Sequence, residues 1–143
     1  EVILSSACYG QMKRHRMSSQ LVQPYDPELG FTYPPSVMET GLQRDFEENY
    51  RQSSEVHYEL SKYDRTAAQY ALTNGHRRRM LIRANAREMH HISRLREDAH
   101  AQWDVRKISG DMLFLAREKS PLSLMLAWGK DRFPEKKKDL LGS

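Results

Sequence analysis

Residues 85–106, NAREMHHISRLREDAHAQWDVR, constrain the fold more than any other stretch of this chain. Ala86, Met89, Ile92 and Leu95 recur every third residue and form the buried face of a helix starting at Asn85. Ala101, Val105, Ile108, Met112 and Leu115 then step by 4, 3, 4 and 3, giving a second helix over residues 99–119 one apolar stripe. Arg87, His91 and Arg94 lie near one face of the first helix, with Arg96 at its end. Because the opposite face is apolar, the basic face is free to line a cleft.

The remaining sequence predicts mostly helix. Residues 76–84, HRRRMLIRA, alternate as a strand, with Arg79, Leu81 and Arg83 against Met80, Ile82 and Ala84. Residues 1–12 open on an apolar run that suits a short buried helix or strand, and residues 23–35 are an ordered loop rich in proline and aromatics. Ser36 and Glu39 form a capping box that starts a long helix with Met38, Leu42, Phe46, Tyr50, Val56, Leu60 and Tyr63 on one face. Gly41 costs that helix about 1 kcal/mol relative to alanine, too little to break it. A shorter helix over residues 65–72 ends at Thr73-Asn74-Gly75, with Gly75 free to take positive φ. Ser120-Pro121 opens a last short helix that Gly129 ends, and the segment after it is expected to be a mobile end. The expected class is α+β, mostly helical, with a small antiparallel sheet.

The length of 143 residues suits one domain, expected over residues 1–130 with a basic tail at 131–143. The net charge of +4 is concentrated at residues 13–16, 77–79 and 136–138, a pattern that suits a polyanionic partner. Cys8 is the single cysteine, which is compatible with a reducing cytoplasm, the expected location. No apolar run reaches the roughly 20 residues of a membrane span, and no signal-peptide pattern is visible. His90 and His91 are adjacent and diverge on a helix, so no metal site is expected. The run at residues 76–79 lacks interleaved aromatics and any helix-turn-helix or zinc pattern, which disfavours nucleic acid as the partner. Cys8 has no base beside it in sequence and reads as a buried small residue.

Arg14-His15-Arg16 is the second candidate constellation. On an extended segment Arg14 and Arg16 point one way and His15 the other, an arrangement that suits a phosphate or a flavin lying across it. The alternative is a solvated basic edge.

These blocks together resemble the flavin-dependent thymidylate synthase family. GQMKRHRMSS, with Gln11 three residues before Arg14, is similar to its Gln-x-x-Arg-His-Arg-x-x-Ser segment. NAREMHHISRLREDAHAQWDVR is similar to its Asn-Ala-Arg helix, Leu-Arg end and Ala-Gln-x-(acidic)-aliphatic-Arg helix, in the same order. The resemblance covers most of residues 5–110, with no counterpart for the family's N-terminal third. It implies a homotetrameric thymidylate synthase-like α/β fold, with FAD held between subunits, and a methyltransferase of dTMP and nucleotide biosynthesis. In that reaction dUMP becomes dTMP, methylenetetrahydrofolate supplies the carbon and NADPH the hydride. Carried over by position, Arg14, His15 and Arg16 face the flavin, and Asn85, Arg87 and His91 continue that cofactor site. Gln11 and Arg96 hold dUMP, with Arg96 as the catalytic residue reaching the uracil ring.

The chain departs from the family at the dUMP phosphate. Pro24 stands at the family's serine, Asp26 at its neighbouring arginine, and Gln69 at the arginine of an Ala-Arg pair. Charge-assisted hydrogen bonds are worth roughly 1.5–3 kcal/mol each, so these losses cost on the order of 4–6 kcal/mol, about a thousandfold in affinity. The expected function is therefore a thymidylate synthase homologue, or a degenerate copy that binds flavin or nucleotide without turnover, alone or beside a partner copy. The alternatives are a non-catalytic structural or anion-binding interaction module and, more remotely, an RNA-binding module built on residues 76–79 and 136–138.

Overall fold

The computed structural model describes residues 1–142. In order, the elements are β1 (Val2–Ser5), α1 (Ser6–Met12), β2 (Ser19–Val22), a 3-10 turn at Pro27–Leu29, α2 (Pro35–Thr40) and α3 (Gln43–Ser61). There follow α4 (Arg65–Ala68), a 3-10 turn at Gln69–Ala71, β3 (Arg77–Arg83), α5 (Ala86–Arg96), α6 (Trp103–Lys119), α7 (Pro121–Leu124) and α8 (Phe133–Leu141). The class is α+β and mostly helical, as expected. Both β1 and β2 come from the first 33 residues, where the apolar run alone left strand and helix open. Two compact units divide the chain: Glu1–Ala7 with Leu21–Leu81, and Cys8–Gln20 with Ile82–Ser143.

In the first unit the three strands lie in the order β1-β3-β2, and β1 runs antiparallel to β3 with Val2 opposite Met80 and Leu4 opposite Arg78. Leu4 and Met80 are buried, while Ile3, Leu21 and Leu81 are exposed, so period-2 alternation gives this sheet one packed face. His76, fully buried, ties the unit together. The Thr73 N–H donates to its Nδ1 at 3.0 Å, so the ring proton sits on Nε2, 3.1 Å from the Ser54 hydroxyl, which donates to the Tyr50 carbonyl at 2.7 Å. The imidazole also stacks on Tyr50, with ring centroids 4.4 Å apart.

Three expectations fail in this unit, each for a local reason. The helix from Ser36 does not run through Gly41: Pro35 starts α2, no side-chain cap forms, and Gly41 adopts φ 73°, sending its N–H to the Val37 carbonyl. Chain termination by a left-handed glycine outweighs propensity here. The apolar face assigned to α3 is also turned. Met38, Leu42, Val56, Leu60 and Tyr63 are exposed, and the inward residues are Ser54 and His57 with half-buried Phe46 and Tyr50. Small and polar groups with hydrogen-bond partners fill the packed side. Gly75 has no positive φ. Its requirement is space, since a Cβ there would lie 2.9 Å from the Phe46 ring.

The second unit packs α5, α6 and α7 around Leu113, Leu124 and Ala127, with Met89 and Ala116 against them. Asn85 caps α5 by accepting the Glu88 N–H at 2.9 Å. Its buried residues are Glu88, Ile92 and Ser93; Ala86 and Leu95 are exposed, contrary to the apolar count. The stripe on α6 is likewise rotated: Leu113 is 1% exposed and Leu115 60%, because Val105, Ser109 and Leu113 face inward at four-residue steps. Serine is invisible to a count of apolar residues. Residues 133–141 form α8 rather than a mobile end. Trp128, just before it, lies under the Arg117 guanidinium at 3.7 Å. Arg117 also donates to the Leu124 carbonyl at 3.2 Å and to that of Ala127, closing the end of α7.

Two outcomes follow from this packing. Leu113→Ala should cost about 2–5 kcal/mol by opening a core cavity, and Met112→Ala clearly less, read from urea unfolding midpoints. Equal costs would show that the α6 face is misassigned. Burial holds His76 below the usual histidine value of 6.5. The unfolded chain therefore takes up the proton first, and stability present above that value is lost as pH falls below it. The urea midpoint should drop between about pH 7 and about pH 5, and drop less in His76→Gln. A wild-type midpoint that rises on acidification would contradict this.

Candidate functional site

The second unit brings residues 8–20 onto α5 and the start of α6. After α1 the chain folds into turns rather than the expected extended segment. The His15 carbonyl accepts from the Ser18 hydroxyl at 2.6 Å, and the Gln20 side chain donates to the Met12 carbonyl at 3.1 Å and to that of His15 at 3.4 Å. This bracing turns the His15 ring inward, 3% exposed, and leaves Arg14 and Arg16 exposed on either side.

Both ring nitrogens of His15 have partners. Nδ1 lies 3.0 Å from Glu88 Oε1, and Nε2 accepts the Arg96 Nε–H at 2.9 Å. An ionised carboxylate only accepts and a guanidinium only donates, so the ring is neutral with its proton on Nδ1. Burial depresses the affinity of His15 for a second proton, and the Arg96 charge adds to this; the Glu88 hydrogen bond pulls the other way without reversing the direction. Glu88, 4% exposed, is thus balanced by Arg96 through a neutral ring. His91 lies edge-on to His15, ring centroids 5.6 Å apart.

Gln11 completes the clamp. Arg96 Nη1 donates to Gln11 Oε1 at 3.3 Å and Nη2 to the Gln11 carbonyl at 3.1 Å, while Gln11 Nε2 donates to Gln102 Oε1 at 3.4 Å. Arg96 sits in the last turn of α5, where a cation is favoured by the helix dipole. Burial, and then Arg14, push its proton affinity below the usual arginine value, yet it remains a cation at neutral pH. Cys8 is buried nearby. Burial and then the Asp104 carboxylate push its thiol up to about 12, which leaves no thiolate for nucleophilic chemistry.

Of the residues singled out from sequence, Gln11, His15, His91 and Arg96 therefore gather in one place. Arg14, Arg16 and Arg87 stand exposed rather than lining a closed pocket. Asn85 borders a cavity of about 340 Å³ with Met17, Ser19, Arg83 and Ala84. The sequence reading missed Glu88 and Gln20. Asn85-x-x-Glu88 has the spacing of a capping box, and that pattern hides a carboxylate whose side chain turns inward instead of back to the cap. Among the described residues, no three His, Cys, Asp or Glu side chains are grouped as metal ligands.

The three departures converge in the first unit. Pro24, Asp26 and Gln69 line one cleft of about 830 Å³, together with Tyr25, His57, Tyr58, Arg65 and Arg78. Gln69 accepts the Tyr25 N–H at 2.8 Å and returns a bond to its carbonyl at 3.3 Å, and Asp26 caps the following 3-10 turn. The Arg78 guanidinium lies 4.1 Å over the Tyr25 ring.

The chain belongs to the family of thymidylate synthase complementing proteins, which it matches over residues 1–122. It is 30% identical over 118 residues to the flavin-dependent thymidylate synthase of Sulfurisphaera tokodaii, covering 77% of this chain and 46% of that protein. To that of Thermococcus onnurineus it is 27% identical over 137 residues, covering 88% and 56%. To that of Geobacter sulfurreducens it is 30% identical over 127 residues, covering 82% and 55%. The chain spans about half the length of these relatives. No helix among the described residues is long and apolar enough to cross a membrane.

The clamp makes a checkable energetic statement. A double-mutant cycle on His15→Ala and Arg96→Ala should give a coupling of about 1–3 kcal/mol in unfolding free energy. A coupling indistinguishable from zero would mean that the two side chains do not share a bond in solution.

Proposed function

We propose that this chain forms part of a flavin-dependent thymidylate synthase homologue that acts on dUMP. The observation that carries this reading is the Arg96 clamp. Gln11 and His15, 85 and 81 residues away in sequence, fix one guanidinium and leave part of it free. An arginine has five N–H groups, and three are taken by the bonds above, so two remain for a carbonyl or anionic oxygen such as those of a uracil ring.

The residues fit FAD in part. Arg14, Arg16 and Arg87 offer exposed forks suited to phosphate oxygens, and the cavity beside Asn85 has room for a fragment of a dinucleotide. The rest of the cofactor would lie on a second copy, in a tetramer, or on the remaining half of a longer protein. When bound, FAD would supply the carrier of reducing equivalents between NADPH and the pyrimidine, with methylenetetrahydrofolate as carbon donor. Arg96 would orient the ring and favour charge on its oxygen, Gln11 and Gln102 would hold Arg96 in place, and His15 would act from behind it.

A second reading rests on the cleft of the first unit. Asp26 repels phosphate, and only Arg65 and Arg78 offer it positive charge there. That favours a copy without turnover or a non-catalytic structural module, in which any anion or flavin would be held by the exposed Arg14, Arg16 and Arg87 rather than by this cleft. The expected domain of residues 1–130 with a basic tail belongs to either reading.

Turnover is tested by tritium release from dUMP labelled at the carbon that receives the methyl group, with FAD, folate and NADPH supplied. Release proportional to protein supports the enzyme, and none at high protein leaves the non-catalytic reading. Arg87→Ala should weaken flavin retention in gel filtration while changing stability by no more than about 1 kcal/mol, as for an exposed residue. Unchanged retention would remove Arg87 from the cofactor surface.

A further inference from the structure

We propose that Glu88 is a positioning residue for Arg96: acting through His15, it aims the two unclaimed guanidinium N–H groups at the ligand. This rests on the dUMP reading above. Glu88 is a buried carboxylate on α5, and it faces His15 Nδ1 at 3.0 Å. Isolated buried carboxylates are costly, and a pairing with His15 alone would leave a net negative charge in the interior. The ring carries that charge on to Arg96 at 2.9 Å, so the three side chains form one neutral relay.

The direction of the relay follows from proton placement. An imidazole in isolation exchanges its proton between the two nitrogens. With the Glu88 carboxylate facing Nδ1, the proton is held there and Nε2 presents a lone pair to Arg96. With that acceptor removed, only the Arg96 Nε–H still holds the tautomer, and whenever the proton moves to Nε2 the ring places an N–H against it. Two donors then face each other, and the guanidinium must turn away from His15. Its grip on Gln11 would loosen with it, since Nη1 and Nη2 depend on the same plane. The charged or titratable groups acting on His15 are Glu88, His91 and Arg96, all from α5, and Arg14 acts on Arg96. Of these, Glu88 is the acceptor for the ring proton.

The test compares Glu88→Ala and Glu88→Gln in the full chain. Nitrogen-15 NMR reports the His15 tautomer and the exchange of the Arg96 Nε–H, and calorimetry reports dUMP affinity. In the wild type the proton sits on Nδ1 and the Arg96 Nε–H is protected. Glu88→Ala should shift the tautomer, release the Nε–H and weaken dUMP by about tenfold or more. Glu88→Gln keeps an acceptor for Nδ1–H and should restore both NMR signatures and most of the affinity. An unchanged tautomer in Glu88→Ala overturns the proposal even if dUMP binds. So does a shifted tautomer with unchanged dUMP affinity. If the wild type binds no dUMP, the functional reading falls. The proposal is then judged on the Arg96 Nε–H alone: release in Glu88→Ala upholds the positioning role, and continued protection ends it. A melting midpoint for each variant separates these outcomes from unfolding.

Discussion

The hydrogen bond from Arg96 to His15 is the constraint on which the second unit's site depends. It requires a neutral histidine, which burial and the Arg96 charge favour, while Glu88 faces the one remaining ring proton on Nδ1. It also requires that the turn at residues 13–18 present its ring inward, which the Gln20 and Ser18 bonds to backbone carbonyls secure. Remove any of these and the guanidinium loses its bond to His15 and keeps only the two to Gln11. A free arginine side chain carries substantial rotamer entropy, so this prior fixation is what makes it useful to a bound ligand.

The two units divide the family pattern unevenly. Where the resemblance places contacts to a pyrimidine, the residues are present and mutually bonded. Where it places phosphate contacts, Pro24 offers no side-chain donor, Asp26 caps a turn, and Gln69 pairs with the backbone of Tyr25. These side chains stabilise the walls of a cleft they no longer equip for an anion.

Much of the fold was legible because it rests on strong local signals. The alternation at residues 76–84 became β3, Asn85 became the cap of α5, and Pro121 opened α7. The misread helix faces share one cause: a count of apolar residues ignores small and polar residues that are buried. Ser54, His57 and His76 fill the first unit, and Glu88, Ser93 and Ser109 the second. Gly41 failed for a different reason, since its propensity cost was weighed without its capacity to end a helix. The candidate site was visible as two clusters of residue types, but the residue that organises it was not. Glu88 sits at a spacing with an ordinary explanation, and only three dimensions reveal where its carboxylate goes.

The most direct test of this account is a pH titration of the His15 ring signals by NMR. A ring that donates to Glu88 and accepts from Arg96 must stay neutral through the usual histidine range, so its shifts should move only below 6.5, with the Nδ1–H signal persisting until then. A His15 that titrates at or above that value would be protonated when it is required to accept, and the relay described here could not exist.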